Sequence, residues 1–406
     1  MTVSDLDPRL VVEQPGLAGA WAGLRRRLAQ GELGPLPVII GIAAIWLIFW
    51  IANPNFLTPG NLTNLVLQLA ATGTISLGVV LVLLLGEIDL SVGAVSGVTA
   101  AVMAVLSVHH GVPGWLAILI GLVAGATIGA FQGFWVTRFR IPAFVVTLAG
   151  LLAWTGALLA VLGDTGTVNI TDPTIIGLAN TFFIPLAAWL LALLVAAAYA
   201  AAKLLERRRR VAAGLPTPPL RLIVTRVVIL TAAVFAAAAV LAADRGLPLA
   251  LLIFTGLVVL VGLLITRTRF GRHVLAVGGN AEAARRAGIR VNNVRLVVYT
   301  LASSLAAAGG ILAASRLFAV SQSSGASDTL LNAIAAAVIG GTSLWGGRGS
   351  AYSALLGGLV IFSISNGMDL LGVQSSTKFI VTGGVLLLAA TVDALSRRGR
   401  EAAGRV

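Results

Sequence analysis

The chain has 406 residues, of which 58% are hydrophobic and 11% are charged, and its formal net charge is +13. Many uninterrupted runs of about 20 apolar residues predict an all-α, polytopic membrane protein, because the strands of a membrane barrel alternate apolar and polar residues. The absence of cysteine excludes disulfides and cysteine nucleophiles, and no acidic cluster accompanies the three histidines. We therefore expect no metal site and no cofactor. Basic residues lie between the apolar runs, which does not favour nucleic-acid binding.

The apolar runs predict about 10–12 transmembrane helices, some of them interrupted, within a domain of residues 36–395. A polar segment, 1–35, precedes this domain and a short tail, 396–406, follows it. If the chain begins in the cytoplasm, 25 of its 28 Lys and Arg residues lie in inside segments and 3 lie outside. The positive-inside rule then places both termini in the cytoplasm. The predicted spans are 36–52, 64–85, 90–108, 115–137, 143–162, 184–202, 227–243, 248–266, 294–314, 330–345, 351–371 and 379–394.

Polar side chains recur at near-helical spacing along the second predicted span. They are Gln68, Thr72, Thr74 and Ser76. One interpretation is that this face lines a wet path through the membrane. The other is that Thr and Ser bond to their own helix while Gln68 bridges two helices. Thr58 or Asn61 is predicted to cap this helix.

Residues 86–93 interrupt the apolar pattern after the second span and carry two carboxylates, Glu87 and Asp89. Carboxylates next to membrane spans mark a pathway, a broken helix or a partner, because a charge in the bilayer is costly. Asp89 is predicted to be the N-cap of a helix that begins at Leu90, accepting the amide of Ser91 or of the next residue. One interpretation of Asp89 is that it lies at the end of a half-helix at membrane depth, since such ends form transport sites. The alternative is that it caps an ordinary helix at the membrane surface.

The fourth span contains a glycine at every fourth position. The row consists of Gly121, Gly125, Gly129 and Gly133. Glycine at this period forms a groove that a neighbouring backbone can enter, which is a common packing device of membrane helices. We therefore predict that this row packs against another helix and has no chemical role.

Two inside connections are predicted to be basic, 203–226 and 267–295. The first is broken by prolines and is expected to lie beside anionic lipid headgroups. The second contains a short helix over 281–287, with Asn280 as its N-cap and Gly288 at its end. From the residues alone this helix could lie on the membrane, remain a solvated loop or dock on a partner.

Residues 339–350 form a second interruption, rich in glycine. Aligned on the glycines, the two interruptions match at Gly86 and Gly340, Asp89 and Ser343, Leu90 and Leu344, and Gly93 and Gly347. Such a pair indicates an internal repeat around a central site, and no P-loop motif is present to bind ATP. The candidate substrate pathway consists of Gln68, Thr72, Ser76, Glu87, Asp89, Ser91, Asn332, Ser343 and Asn366.

Four stretches of the chain resemble the membrane permease subunits of bacterial ABC sugar importers, a family that handles ribose, arabinose and xylose. They are residues 86–93, 141–150, 278–289 and 338–344. Glu87, the 203–226 loop and the additional central spans are similar to the xylose-type branch. The resemblance implies a permease of the bacterial inner membrane, not an enzyme, that moves a monosaccharide such as xylose into the cytoplasm with ATP hydrolysed by a separate subunit.

The same resemblance implies three protein partners within the lipid membrane. They are a cytoplasmic ATP-binding subunit, an extracytoplasmic sugar-binding protein and a second copy of the permease. By similarity, the 278–289 element is the coupling helix that docks on the ATPase. The residues assigned to this coupling are Gly279, Asn280, Glu282, Ala283, Ala284, Arg285 and Gly288.

Two other classes of function compete with the importer. An ion-coupled secondary transporter would use Glu87 and Asp89 as its titrating or ion-binding groups, although the apolar runs hold few other charges. A membrane scaffold protein would explain the glycine row, but it would not need two interrupted segments. No motif in the sequence specifies the sugar.

Overall fold

The computed structural model describes residues 36–402, apart from Pro216 and Pro218, so the predicted segment 1–35 and the last four residues of the tail lie outside the described residues. Within the described part, the chain forms fifteen α-helices and four short strands, which confirms the all-α, polytopic prediction. The helices are α1 (Leu36–Ala52), α2 (Pro59–Leu84), α3 (Val92–Val108), α4 (Gly114–Arg138), α5 (Ala143–Leu162), α6 (Pro173–Asn180), α7 (Pro185–Ala212), α8 (Leu220–Ala243), α9 (Leu249–Arg267), α10 (Arg269–Gly279), α11 (Ala281–Arg286), α12 (Val291–Leu317), α13 (Ser327–Ile339), α14 (Tyr352–Leu370) and α15 (Ser375–Ala402). The strands are β1 (Thr167–Asn169), β2 (Phe182–Phe183), β3 (Leu247–Pro248) and β4 (Ala319–Ser321).

Each of the twelve predicted spans overlaps one of these helices. Within the described residues, eight helices are long and apolar enough to cross a membrane, namely α2, α4, α5, α7, α8, α9, α12 and α14. The other four predicted spans lie in shorter apolar segments, namely α1, α3, α13 and residues 375–391 of α15. The prediction of a span over 330–345 is too long, because α13 ends at Ile339. Gly341 follows with φ of +98°, a backbone conformation that glycine adopts and that ends the helix.

Helix α12 packs along α4 through the glycine row, as the four-residue spacing predicts. All four glycines are buried on α4. A Cβ atom added at Gly125 would lie 2.6 Å from the Cβ of Ala307, and one added at Gly133 would lie 3.0 Å from the Cα of Leu296. The two backbones are therefore too close for larger side chains, which confirms the packing prediction.

Residues 182–247 belong to a separate compact unit, in which α7 and α8 form an antiparallel hairpin. Trp189 and Phe235 pack against each other across it, with ring centroids 5.9 Å apart. The basic connection predicted over 203–226 is shorter than expected and spans only 213–219, because α7 continues to Ala212 and α8 begins at Leu220. Arginine and lysine favour helices about as well as leucine does, so the basic segment extends the apolar helix instead of ending it.

Three elements of the larger unit were not predicted: α6, α10 and the strand pair β1–β4. Helix α6 is only eight residues long, and its N-cap is Asp172, whose carboxylate accepts the amides of Thr174 and Ile175. Its far end docks on α12, where the amide of Ala179 donates to the Ser315 hydroxyl at 2.9 Å. Helix α6 and the strands carry too little apolar periodicity to be found by pattern, because about two turns or three strand residues contain few core positions.

Candidate substrate pathway and coupling site

Three segments that lie far apart in the sequence meet through glycine backbones. The amide of Gly347 donates to the carbonyl oxygen of Leu84 at 2.9 Å. A Cβ atom added at Gly278 would overlap that same oxygen, and one added at Gly346 would lie 2.7 Å from the amide nitrogen of Gly86. We name Gly86, Gly278, Gly346 and Gly347 the glycine junction. It connects the end of α2, the end of α10 and the loop after α13 without intervening side chains.

Three of the four junction glycines have φ values in the left-handed region, which other residues rarely adopt. The values are +76° at Gly86, +83° at Gly346 and +70° at Gly347. Glycine is therefore required here both by backbone conformation and by close approach. The two interruptions paired in the sequence analysis are in direct contact, since the first loop touches the second at Gly86 and Trp345.

Glu87 lies in the loop between α2 and α3 and is bound by two residues of α12. Its Oε1 lies 2.6 Å from the Nε of Arg295, and the Tyr299 hydroxyl donates to its Oε2 at 3.0 Å. Burial raises the pKa of Glu87, whereas the charge of Arg295 and the hydrogen bond from Tyr299 oppose that rise. Sequence reasoning missed Arg295 and Tyr299. Their spacing of four residues on one predicted helix was the available signal.

Asp89 is buried, and its Oδ1 accepts both the amide of Ser91 at 2.8 Å and the Ser91 hydroxyl at 2.6 Å. The amide contact agrees with the sequence analysis, but the predicted N-cap position is wrong, because α3 begins at Val92 and Ser91 is its N-cap. Asp89 precedes the first helical residue, Val92, by three residues instead of the expected one, and its carboxylate stabilises the turn that enters the helix. Gln132 of α4, which sequence reasoning missed, donates to the Ser91 hydroxyl at 2.9 Å.

Ser343, the residue aligned with Asp89, makes a corresponding contact in the second interruption. Its hydroxyl accepts the amide of Trp345 at 3.3 Å, two residues further along the chain. In the first interruption Asp89 accepts the amide of Ser91, also two residues further along. The two loops therefore share the same local turn, in which a polar side chain accepts a hydrogen bond from the backbone amide two residues further along.

The polar residues of α2 separate into two groups. The Thr74 hydroxyl donates to the Ala70 carbonyl of its own helix at 2.7 Å, and Ser76 donates to the Ala333 carbonyl of α13 at 2.8 Å. Gln68 and Thr72 are half-buried instead. From Asn61 onward, the residues of α2 that are not buried are Asn61, Asn64, Val66, Gln68 and Thr72. Four of these are polar and follow one face at spacings of three and four, whereas Val66 lies on another face.

The remaining predicted pathway residues lie in different places. Asn366 exchanges amide hydrogen bonds of 2.7 and 2.9 Å with Asn61, which joins α14 to α2. Asn61 therefore does not cap α2, and Thr58 occupies the N-cap position without a side-chain cap. Asn332 lines a cavity between α13, α14 and α15. The predicted pathway residues thus do not form one cluster.

The short helix predicted over 281–287 is present as α11. Asn280 is its N-cap and accepts the amide of Ala283 at 2.9 Å, and Gly288 follows the helix with φ of +85°, as predicted. Ala284 is buried, whereas Glu282 is exposed and pairs with Arg285 at 2.7 Å. Helix α10 precedes α11 directly and carries Gly278 of the glycine junction near its end. The exposed charged face is thus only a few residues from the contact with both interrupted loops.

Comparison with known proteins adds independent evidence. Residues 61–390 match the model of a family described as the permease component of branched-chain amino acid transport systems. The chain is 37% identical over 382 residues to the xylose transport system permease protein XylH of Escherichia coli, covering 94% of this chain and 96% of the relative. It is 34% identical over 362 residues to XylH of Haemophilus influenzae, covering 89% and 96%. It is 32% identical over 363 residues to the ribose import permease protein RbsC of Bacillus subtilis, covering 89% and 92%. No solved structure matches.

Proposed function

The chain belongs to the family of permease components that includes the branched-chain amino acid systems, and from this membership we propose that it is the membrane-spanning subunit of an ATP-driven sugar importer. The observation that carries the proposal is the 37% identity to a xylose permease over 94% of the chain. We infer that the transported molecule is a monosaccharide, with a pentose such as xylose as the first candidate. The alternative remains an ion-coupled transporter that uses Glu87 and Asp89.

The proposed partners follow from the absence of a P-loop and from the type of relative. ATP is hydrolysed by a separate cytoplasmic subunit, and a sugar-binding protein on the other side of the membrane delivers the substrate. A second copy of the permease completes the assembly. The protein is a multi-pass protein of the bacterial inner membrane, and the excess of Lys and Arg in the inside segments supports two cytoplasmic termini.

We propose that the polar face of α2, formed by Asn64, Gln68 and Thr72, lines the substrate pathway; Asn61, on the same face, is hydrogen-bonded to Asn366 of α14. A polar stripe on an otherwise buried helix is costly against lipid, so it is expected to face water or another protein surface. The side chains are uncharged, which suits a neutral polyol. Ser76, included in the sequence prediction, has a structural contact with α13 instead.

We further propose that α11 docks on the ATPase and that the glycine junction transmits the resulting motion. Glu282, Arg285 and Arg286 form an exposed ion-pair group on a short rigid helix, with side-chain exposures of 57%, 58% and 80%. At the glycine junction, the backbone of α10 contacts the backbones of the two interrupted loops. A movement of α10 and α11 is therefore transmitted directly to both loops, because no flexible side chain lies between them. The two interruptions then move together.

The test of this function replaces Glu282 and Arg285 together with glycine, which removes the ion pair and weakens the helix. In the wild type, the sugar-loaded binding protein is expected to stimulate ATP hydrolysis in proteoliposomes that contain the permease and the ATPase. The variant should insert normally but lose both this stimulation and co-purification of the ATPase. Lys203→Gly with Glu206→Gly, which removes an exposed ion pair of the hairpin, is the matched control. Full co-purification of the first variant would contradict the docking assignment.

A further inference from the structure

A cavity of about 260 Å³ lies between α13, α14 and α15. The polar and aromatic residues around it that matter here are Asp328, Asn332, Ser365, Lys378, Phe379 and Thr382. Of these, the candidate pathway of the sequence analysis contained Asn332 alone. The cavity is separate from the polar face of α2 and from the glycine junction.

Most hydrogen-bonding capacity in this cavity is unused. The side chains of Asn332, Ser365 and Thr382 are half-buried, and none of them has a hydrogen-bond partner among the described residues. Lys378 is different, since its ammonium group pairs with Asp369. The groups that remain available include an amide and two hydroxyls, which donate and accept and carry no charge, and the carboxylate of Asp328, which accepts.

An aromatic ring completes the set. Phe379 is 57% exposed beside these polar groups, although it is one of the large apolar side chains of the chain. Specific small-molecule sites combine apolar and aromatic walls with a few convergent polar groups. A monosaccharide matches this set, because its hydroxyl groups exchange hydrogen bonds with amides and hydroxyls while its C–H face packs on an aromatic ring.

We propose that this cavity is a binding site for a single monosaccharide during its passage through the protein. The inference rests on the proposed function for its choice of ligand. Ligand pockets typically measure about 300–1,000 Å³, so a cavity of about 260 Å³, just below this range, fits one sugar ring and not an oligosaccharide. An anionic ligand is disfavoured because the cavity's ammonium group is already paired with Asp369 and because the carboxylate of Asp328 also lines the cavity.

The position of the cavity supports a role at entry. Asp328 and Asn332 lie in the first turns of α13, whereas the glycine junction is formed beyond its other end, after Ile339. Helix α13 has 13 residues, so its two ends are separated by about 20 Å at a rise of about 1.5 Å per residue. In the proposed orientation, the cavity end faces outward, where the sugar arrives, and the junction end faces the ATPase.

The absence of cysteine from the chain permits a direct test, because each introduced thiol is unique. Asn332→Cys and Thr382→Cys are reconstituted in proteoliposomes, and their rates of labelling by a maleimide are measured with increasing D-xylose or D-ribose. We expect one of these sugars to slow labelling at both positions several-fold and saturably. Ser323→Cys, at an exposed residue before α13, is the control whose labelling rate should not change.

Absence of protection at both positions, or equal slowing at the control, overturns the inference. A second measurement serves if a cysteine variant misfolds. Asn332→Leu should raise the KM of ATP-driven sugar uptake about tenfold, because it removes about one hydrogen bond to the sugar. An unchanged KM also overturns it. If uptake is ATP-driven but the sugar does not slow maleimide labelling, only this binding site is contradicted. If the wild type shows no ATP-driven uptake, the proposed function is contradicted.

Discussion

Glu87 and Asp89 are two residues apart, yet their charges are stabilised in different ways. Glu87 has a full counter-charge, because Arg295 lies 2.6 Å from it and the side chain of Glu87 is only 11% exposed. Asp89 accepts hydrogen bonds from Ser91 and has no basic partner among the described residues. One oxygen of Asp89, Oδ2, is buried without a hydrogen bond. The first carboxylate therefore fixes α12, while the second fixes the turn into α3.

The Glu87–Arg295 pair gives a prediction about stability. Arg295→Met should destabilise the protein by up to about 3 kcal/mol, because it leaves a buried carboxylate without its counter-charge. Glu87→Gln should cost less, since Arg295 is 28% exposed and can reach water. The measurement is thermal unfolding in detergent. Arg285→Met, which breaks an exposed pair, is the control and should change stability by less than about 1 kcal/mol. The reverse order of the two buried variants would refute this assignment.

The residues of the candidate site could be predicted only in part from the sequence. Glu87 and Asp89 were recognised in the sequence because acidic residues are rare in apolar runs. Asn280 was recognised because an N-cap bonds to an amide only three residues further along the chain. Arg295 and Gln132 could not be found in the same way. Their partners lie far away in the sequence, and the contact depends on how α12 and α4 are rotated in the bundle.

At the scale of elements, the glycine row determines how closely two helices approach. Gly125→Leu should force α4 and α12 apart and destabilise the protein by about 1–3 kcal/mol or more, because its Cβ would already contact Ala307 and the carbonyl of Ser303. Gly156→Leu is the matched control, since nothing lies within 4 Å of a Cβ at that position in α5. Thermal stability in detergent compares the two. Equal stability of both variants would contradict close packing at the row.

The glycine junction gives a sharper comparison between neighbouring residues. Gly278→Ala should separate α10 from the end of α2 and abolish the stimulation of ATP hydrolysis by sugar, because the new Cβ overlaps the carbonyl of Leu84. Gly279→Ala should be tolerated, since no atom lies within 4 Å of a Cβ at that position. Stimulated and basal ATPase rates are measured for both variants in proteoliposomes. Retained stimulation in Gly278→Ala would show that the junction does not couple the segments.

Elements were predicted well where one physical signal dominated. Apolar runs identified all eight helices of the described residues that are long and apolar enough to cross a membrane, because a helix in lipid must satisfy its own backbone hydrogen bonds. The signal failed where a helix continues past the apolar run, as α7 does to Ala212. It also failed where a helix starts late, as α3 does at Val92 instead of Leu90. In both cases the boundary of the apolar run does not coincide with the boundary of the helix.

At the scale of the whole molecule, the larger unit combines a sugar-sized cavity, a polar face and a backbone junction. The cavity lies near the start of α13 and the junction beyond its end. An importer requires sites that respond to each other across the membrane, and α13 connects these two regions directly. The hairpin of α7 and α8 forms its own unit, and its basic end, with Arg207, Arg208 and Arg209, is proposed to contact anionic lipid headgroups.

The central claim is that ATP, and not an ion gradient, drives sugar uptake through this permease. It is tested by measuring xylose uptake in proteoliposomes that contain the permease, the ATPase and the sugar-binding protein, with ATP and the ion gradient varied independently. We expect uptake to require ATP and to survive a protonophore. Asp89→Asn should retain much of the activity, because its amide oxygen can still accept the hydrogen bonds of Ser91. Uptake that follows the gradient without ATP, and that Asp89→Asn abolishes, would contradict the account.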